Sequence, residues 1–143
     1  MKICFVDRTE FQYDYNSKYS PILRGAETVL INLSEALSNL GHKITIINNC
    51  KENKFINNVE WSNINYISKI NKFDVVVANG DCRLFNYAKA DNYILFSHSI
   101  QNLEKFLRKK QILSYLKYKP KICFLGEYHK QSWSKFLKIF GSI

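Results

Sequence analysis

One stretch, Arg24 to Ile47, restricts what this chain can fold into more than any other. It starts with a glycine, Gly25, runs through a helical period, meets a second glycine at Gly41 and closes on Ile44-Thr45-Ile46-Ile47. Leu30, Leu33, Leu37 and Leu40, with Ala26 and Ala36, recur at three- and four-residue spacing, which predicts the apolar face of an amphipathic helix. Gly41 stands where a helix end takes a left-handed residue. The β-branched run after it is too short for another helix and reads as a buried strand.

The preceding run, Lys2-Ile3-Cys4-Phe5-Val6, is apolar and reads as a strand covered on both faces. Strand, helix and strand make a βαβ crossover, which is right-handed and builds a parallel sheet. Ligands of such sheets bind beyond the carboxyl ends of the strands. The loop Asp7 to Arg24 and the helix start at Gly25 are therefore the first candidates for function. That loop is long for a βα connection and carries Phe11, Tyr13, Tyr15 and Tyr19. It fits either a binding loop or a surface loop whose aromatic rings pack on neighbouring helices.

Further along, Asn48 to Asn58 is polar and turn-like, and a short strand near Asn63 to Tyr66, followed by one helical turn, is expected within Val59 to Ile70. Lys72 to Ala78 is a clear strand ending at Asn79-Gly80-Asp81, and Arg83 to Ala90 reads as a short helix. Asn92 to Phe96 is the next strand and runs into Ser97-His98-Ser99. Residues 102–118 read as one basic helix, Ile122 to Leu125 as a strand closed by Gly126-Glu127, and Tyr128 to Phe140 as a last helix. The expectation is an α/β class: a doubly wound, mainly parallel sheet of five to six strands with helices on both faces. The 143 residues form a single domain, 1–143, with no repeat or linker.

Composition removes several classes of function. Hydrophobic residues make up 46% and charged residues 23%, ordinary globular values that argue against disorder. The net charge of +9 favours an acidic partner: a phosphorylated ligand, an anionic membrane or nucleic acid. Nucleic acid has only charge in its favour, with no binding motif or aromatic-basic platform, and is not expected. Cys4, Cys50, Cys82 and Cys123 form no CxxC pair and are expected as buried, reduced thiols. With the first strand at residue 2 and no apolar run of ~20 residues, a cytoplasmic chain is expected, peripheral at the inner face of the membrane if the basic helix attaches it. GxGxxG and GxxxxGK[ST] are absent, so neither a nicotinamide nor a P-loop nucleotide site is expected. No Ser/His/Asp order and no metal-ligand spacing is present, so metal-independent chemistry, or none, is expected.

The candidate residues are few. At Gly25 the free N–H groups of a helix start, with Arg24, Ala26 and Glu27 around it, suit a phosphate or carboxylate; the alternative is a glycine that only eases the turn. His98 directly follows a strand between Ser97 and Ser99, where a histidine can transfer a proton or hydrogen-bond a sugar or phosphate; the alternative is a helix cap. Gly80 and Asp81 form a second turn facing the same edge. His42 belongs to the opposite edge as a structural residue, and His129 has no assigned role. In the basic helix Leu103, Phe106, Leu107, Leu113 and Leu116 are expected to face the sheet. Lys105, Arg108, Lys109, Lys110 and Lys117 are expected to face out, toward an anionic membrane or toward solvent alone.

Together these pieces resemble the N-terminal domain of a GT-B glycosyltransferase of the retaining family-4 type. The resemblance rests on Met1 to Val6, Arg24 to Glu27, Leu40 to His42, Asp74 to Gly80 and Ser97-His98-Ser99, in that order along nearly the whole chain. It implies a Rossmann-like half, with Gly25 to Glu27 bordering the donor's diphosphate and His98 binding substrate in the catalytic cleft. It also implies a nucleotide-sugar co-substrate, a saccharide or lipid-linked acceptor, and no bound metal. Arg24 replaces the first glycine of the family's Gly-Gly-Ala-Glu, and an arginine there can contact phosphate itself. The family's donor-binding domain, with its paired-glutamate motif, has no counterpart in these residues. A separate donor-binding domain or subunit is therefore the implied partner, and the chain by itself is expected to transfer sugar negligibly. The rival expectation is a non-catalytic interaction or regulatory module on the same fold.

Overall fold

A computed structural model describes residues 1–67 and 71–140. Its seven strands are β1 Lys2–Val6, β2 Lys43–Asn48, β3 Lys54–Ile56, β4 Val59–Asn63, β5 Lys72–Asn79, β6 Lys89–Phe96 and β7 Lys121–Cys123. They form one sheet in the order β3-β4-β2-β1-β5-β6-β7, parallel throughout except for the β3–β4 pair. The helices described are α1 Gly25–Asn39, α2 Leu103–Arg108, α3 Ile112–Tyr118, α4 Glu127–Ser132 and α5 Lys135–Phe140. The class is α/β, compatible with a Rossmann-like fold. Among the described residues no helix is long and apolar enough to cross a membrane.

The sheet exceeds the expected five to six strands because β3 hides in the asparagine-rich run. Asn57 and Asn58 both take positive φ, 52° and 59°, and join β3 to β4 as a two-residue hairpin turn. Such a turn demands left-handed residues, which asparagine tolerates. The strand expected at Asn63 to Tyr66 lies earlier, as β4, and Ile64–Tyr66 forms a 3-10 turn. Of the helical turn expected after it, residues 68–70 fall outside the described residues.

The β1–α1–β2 unit is as expected, and Gly41 has φ +85° with its N–H donating to Ser38 O at 2.9 Å. The buried face of α1 is as expected only in part: Leu30 is buried and Leu37 packs against the same cluster. Glu27, Leu30, Ile31, Ser34 and Ser38 are buried, whereas Leu33 and Leu40 are exposed. Hydropathy spacing misses this face because its polar members find partners, Ser34 within its own helix and Glu27 and Ser38 outside it. Ser34 Oγ donates to Leu30 O at 2.7 Å, and Ser38 Oγ to Asn58 O at 3.1 Å.

Successive strand residues divide between two apolar clusters, as the pleat dictates. Ile3 and Phe5 pack with Leu30 and Ile31 of α1; Cys4 and Val6 belong with Phe106, Tyr115, Trp133 and Leu137 from α2 onward. Residues 102–118 are two helices, not one. Lys110 adopts φ 54° between them, and the buried Gln111 side chain accepts from Cys82 N at 3.1 Å, a bond that an uninterrupted helix would not aim. The break also reorients the leucines: Leu107, Leu113 and Leu116 are 55%, 78% and 38% exposed, against the expectation that they face the sheet. The last helix is likewise split, because the extended Trp133 turns inward between the rings of Phe106 and Phe124. The helix expected at Arg83 to Ala90 is a 3-10 segment, Cys82–Tyr87, since β6 already begins at Lys89. The strand expected at Ile122 to Leu125 is the shorter β7. Cys4, Cys50 and Cys82 are buried free thiols, but Cys123 is exposed on the edge strand β7.

Candidate functional site

The chain leaves β1 for β2 on one side and returns to place β5 on the other, so the strand order reverses between β1 and β5. In parallel sheets a crevice forms outside the carboxyl ends at that reversal. Register aligns Val6 with Ala78 and Ala78 with Leu95. One step further along, Asp7 and Asn79 emerge side by side, with Phe96, Ser97 and His98 beside them.

These residues are bonded to one another. Asp7 is buried, accepting from Tyr13 O–H at 2.7 Å and from Asn79 Nδ2 at 2.9 Å. Asn79 Oδ1 in turn lies 2.5 Å from His98 Nε2. Burial and the Asp7 charge push the Tyr13 phenol well up, so its proton stays in place. His98 is half-buried against the Phe96 ring, with centroids 4.4 Å apart. Burial holds its pKa below the ordinary 6.5, opposed by the charges of Glu27 and Asp7 and assisted by His129. The imidazole is therefore neutral at pH 7.

The start of α1 lies at the same rim. Glu27, 1% exposed, accepts from Thr9 Oγ1 at 2.8 Å and from the Arg24 guanidinium at 2.7 Å. Burial alone would raise its pKa; the hydrogen bonds from Arg24 and Thr9 more than offset that and hold the carboxyl below its ordinary value. Arg24 also covers the Phe11 ring at 5.4 Å. Gly25 opens the helix with room for a side chain at its Cα, and Ala26 follows half-buried. Much of the aromatic loop is fastened down: Tyr13 is buried, and Tyr15 and Lys18 both bond Glu35. Tyr19 alone of its aromatic residues projects freely, 91% exposed.

The other expected residues have settled partners. Gly80 takes φ +74° and its N–H donates to Phe96 O at 2.9 Å, which ties β5 to β6 at the rim. Asp81 caps the 3-10 segment through Arg83 N and pairs with the Arg83 guanidinium at 2.6 Å. Ser97 is fully buried, donates to Ser99 O at 2.9 Å and lies 3.4 Å from His129 Nε2. Ser99 Oγ accepts from Lys105 Nζ at 3.0 Å, so Lys105 is engaged in the loop while Arg108, Lys109 and Lys110 remain exposed. His42 is at the opposite, amino end, 3.5 Å from the N-terminal amine.

An open cleft of about 410 Å³ lies over the Asp7 and Asn79 part of this edge, lined by Asp7, Arg8, Thr9, Asn79, Asp81 and Arg83 among others; His98 and Arg24 to Glu27 stand outside its lining. A larger recess of about 540 Å³ lies at the amino ends of the strands, where Lys72 pairs with Asp91 at 2.7 Å and Asp74 accepts from Lys2 N at 2.7 Å. Chemically, the carboxyl-end site offers a neutral histidine, a buried carboxylate behind it and cationic side chains at the mouth. That set can hydrogen-bond a hydroxyl and screen a nearby anion. Sequence reasoning held Asp7 and Tyr13 only within a candidate loop and Asn79 only within a strand-end turn, and singled out none of the three as a site residue. Their signal was position, since Asp7 directly follows β1 and Asn79 ends β5, but only strand order makes the two neighbours.

Compared with protein-family models, curated proteins and solved structures, the chain matches none of them.

Proposed function

We propose that this chain is the acceptor-side domain of a glycosyltransferase, a doubly wound Rossmann-like half of the GT-B kind. It works with a separate donor-binding domain or subunit to move a sugar from a nucleotide-sugar to a saccharide or lipid-linked acceptor, without a bound metal. The observation that carries this reading is that His98 and the start of α1 stand at one rim beside the strand-order reversal, each tied to the segment that follows β1, with the Glu27 charge acting on the imidazole. Asp7–Asn79–His98 and Thr9–Glu27 are its two connections. His98 serves as the substrate-binding, catalytic residue, and Arg24, Gly25, Ala26 and Glu27 border the donor phosphates, with Arg24 supplying charge. The test is sugar transfer by the chain mixed with a donor-binding chain that bears the paired-glutamate motif. Transfer requires both chains and falls at least tenfold in His98→Ala with assembly intact; undiminished transfer removes His98 from the mechanism.

One observation favours the rival reading of a non-catalytic interaction module: Arg24 is already engaged by Glu27 and Phe11 at the helix start. Absence of transfer with every donor-binding partner, alongside stable pairing, would select it.

Attachment to an anionic membrane is part of the same proposal. Leu107, Leu113 and Leu116 are exposed beside Arg108, Lys109 and Lys110, the combination that partitions into an anionic interface. On this proposal the chain works in the cytoplasm, at the inner face of the membrane. Vesicles containing phosphatidylglycerol sediment the wild type, and changing Arg108, Lys109 and Lys110 to Glu abolishes this; equal sedimentation would refute the attachment.

A further inference from the structure

The carboxylate of Asp7 can only accept hydrogen bonds. Tyr13 O–H occupies its Oδ2, so Asn79 must present its amide NH2 to Oδ1, where the two stand 2.9 Å apart. That fixes the Asn79 side chain and turns its carbonyl oxygen toward His98 Nε2, 2.5 Å away. A carbonyl oxygen also only accepts, so Nε2 must carry the hydrogen. A neutral imidazole has one N–H, and the second nitrogen is then a bare lone pair. No described residue hydrogen-bonds His98 Nδ1.

We infer that Asp7, acting through Asn79, fixes His98 as its Nε2–H tautomer and reserves Nδ1 to accept a hydrogen bond from a ligand hydroxyl. Asp7 and Asn79 are positioning residues, one removed from the ligand. The ligand atom that meets His98 is a donor; a phosphate or carboxylate oxygen is repelled by the Nδ1 lone pair. The hydroxyl assignment rests on the glycosyl-acceptor reading, whereas the tautomer rests on the hydrogen bonds alone.

The test is a long-range proton–nitrogen NMR correlation on the full chain labelled with 15N-histidine at pH 7.5. His98 is expected as a single tautomer, with Nε2 at the shift of a protonated ring nitrogen and Nδ1 at that of a bare one. In Asn79→Ala the two shifts move toward each other, as both tautomers become populated. A wild-type ring protonated at Nδ1, or wild-type shifts already averaged, overturns the inference even if the variant fails to fold. So does a folded Asn79→Ala with an unchanged pattern. Excess sulfate, which carries no hydroxyl at this pH, leaves the wild-type Nδ1 shift at the bare position; protonation of Nδ1 on adding sulfate overturns the hydroxyl assignment. If the tautomer holds while His98→Ala retains full transfer activity, the glycosyl-acceptor reading fails and the relay stands.

Discussion

Tyr13→Phe isolates one atom of the site. It deletes the hydroxyl that donates to Asp7 Oδ2 at 2.7 Å and leaves the ring between Phe11 and Trp61, with centroids at 6.0 and 6.3 Å. Donor and acceptor are both buried, at 2% and 4% exposure, so water does not replace the lost partner. Apolar burial is nearly unchanged, and the loss is that of one hydrogen bond to a charged group, about 1.5–3 kcal/mol. With about 2 kcal/mol lost, the melting temperature of a chain this size falls by about 6 °C. Urea unfolding followed by tryptophan fluorescence reads the same loss as a lower midpoint at unchanged slope. Tyr15→Phe is the internal control, since its hydroxyl also donates to a carboxylate, Glu35 at 3.0 Å, but in a solvated setting. Its midpoint shift is much smaller. Equal shifts for the two variants, or none for Tyr13→Phe, would mean that water solvates Asp7 and would refute the reasoning.

Acidification destabilises the chain in two stages. His98 has a folded pKa below 6.5, so the unfolded chain takes up its proton first; this contribution is complete above about pH 6.5 and is lost as pH falls below it. Glu27 is held below its ordinary 4.5, so its contribution is present above about pH 4.5 and is lost as pH falls toward the folded value. Urea midpoints from pH 7.5 to 3.5 check both stages, and in His98→Asn the loss that sets in below pH 6.5 disappears. Gly41→Ala costs about 1 kcal/mol, the price of a left-handed alanine, because nothing lies within 4 Å of the added methyl; an unchanged midpoint would contradict this. Phe106→Ala removes a fully buried ring packed on Tyr115 and Trp133 and costs about 3–5 kcal/mol in chemical denaturation.

The sequence by itself determined the local units: β1, α1 and β2, the left-handed glycine between helix and strand, and His98 just beyond a strand end. Each follows from periodicity and glycine chemistry within a few residues. Tertiary structure decided which strands are neighbours, and so brought Asp7 to Asn79 across 72 positions of sequence. It also decided where helices break, at Lys110 and Trp133, and which face of α1 is buried. The break at Lys110 and the burial of Glu27 depend on partners for buried polar groups that lie far away in the chain, Gln111 for Cys82 N and Thr9 for Glu27, whereas the break at Trp133 follows from its packing between Phe106 and Phe124. A polar residue carries no sign in its own sequence neighbourhood that a distant donor will make its burial favourable.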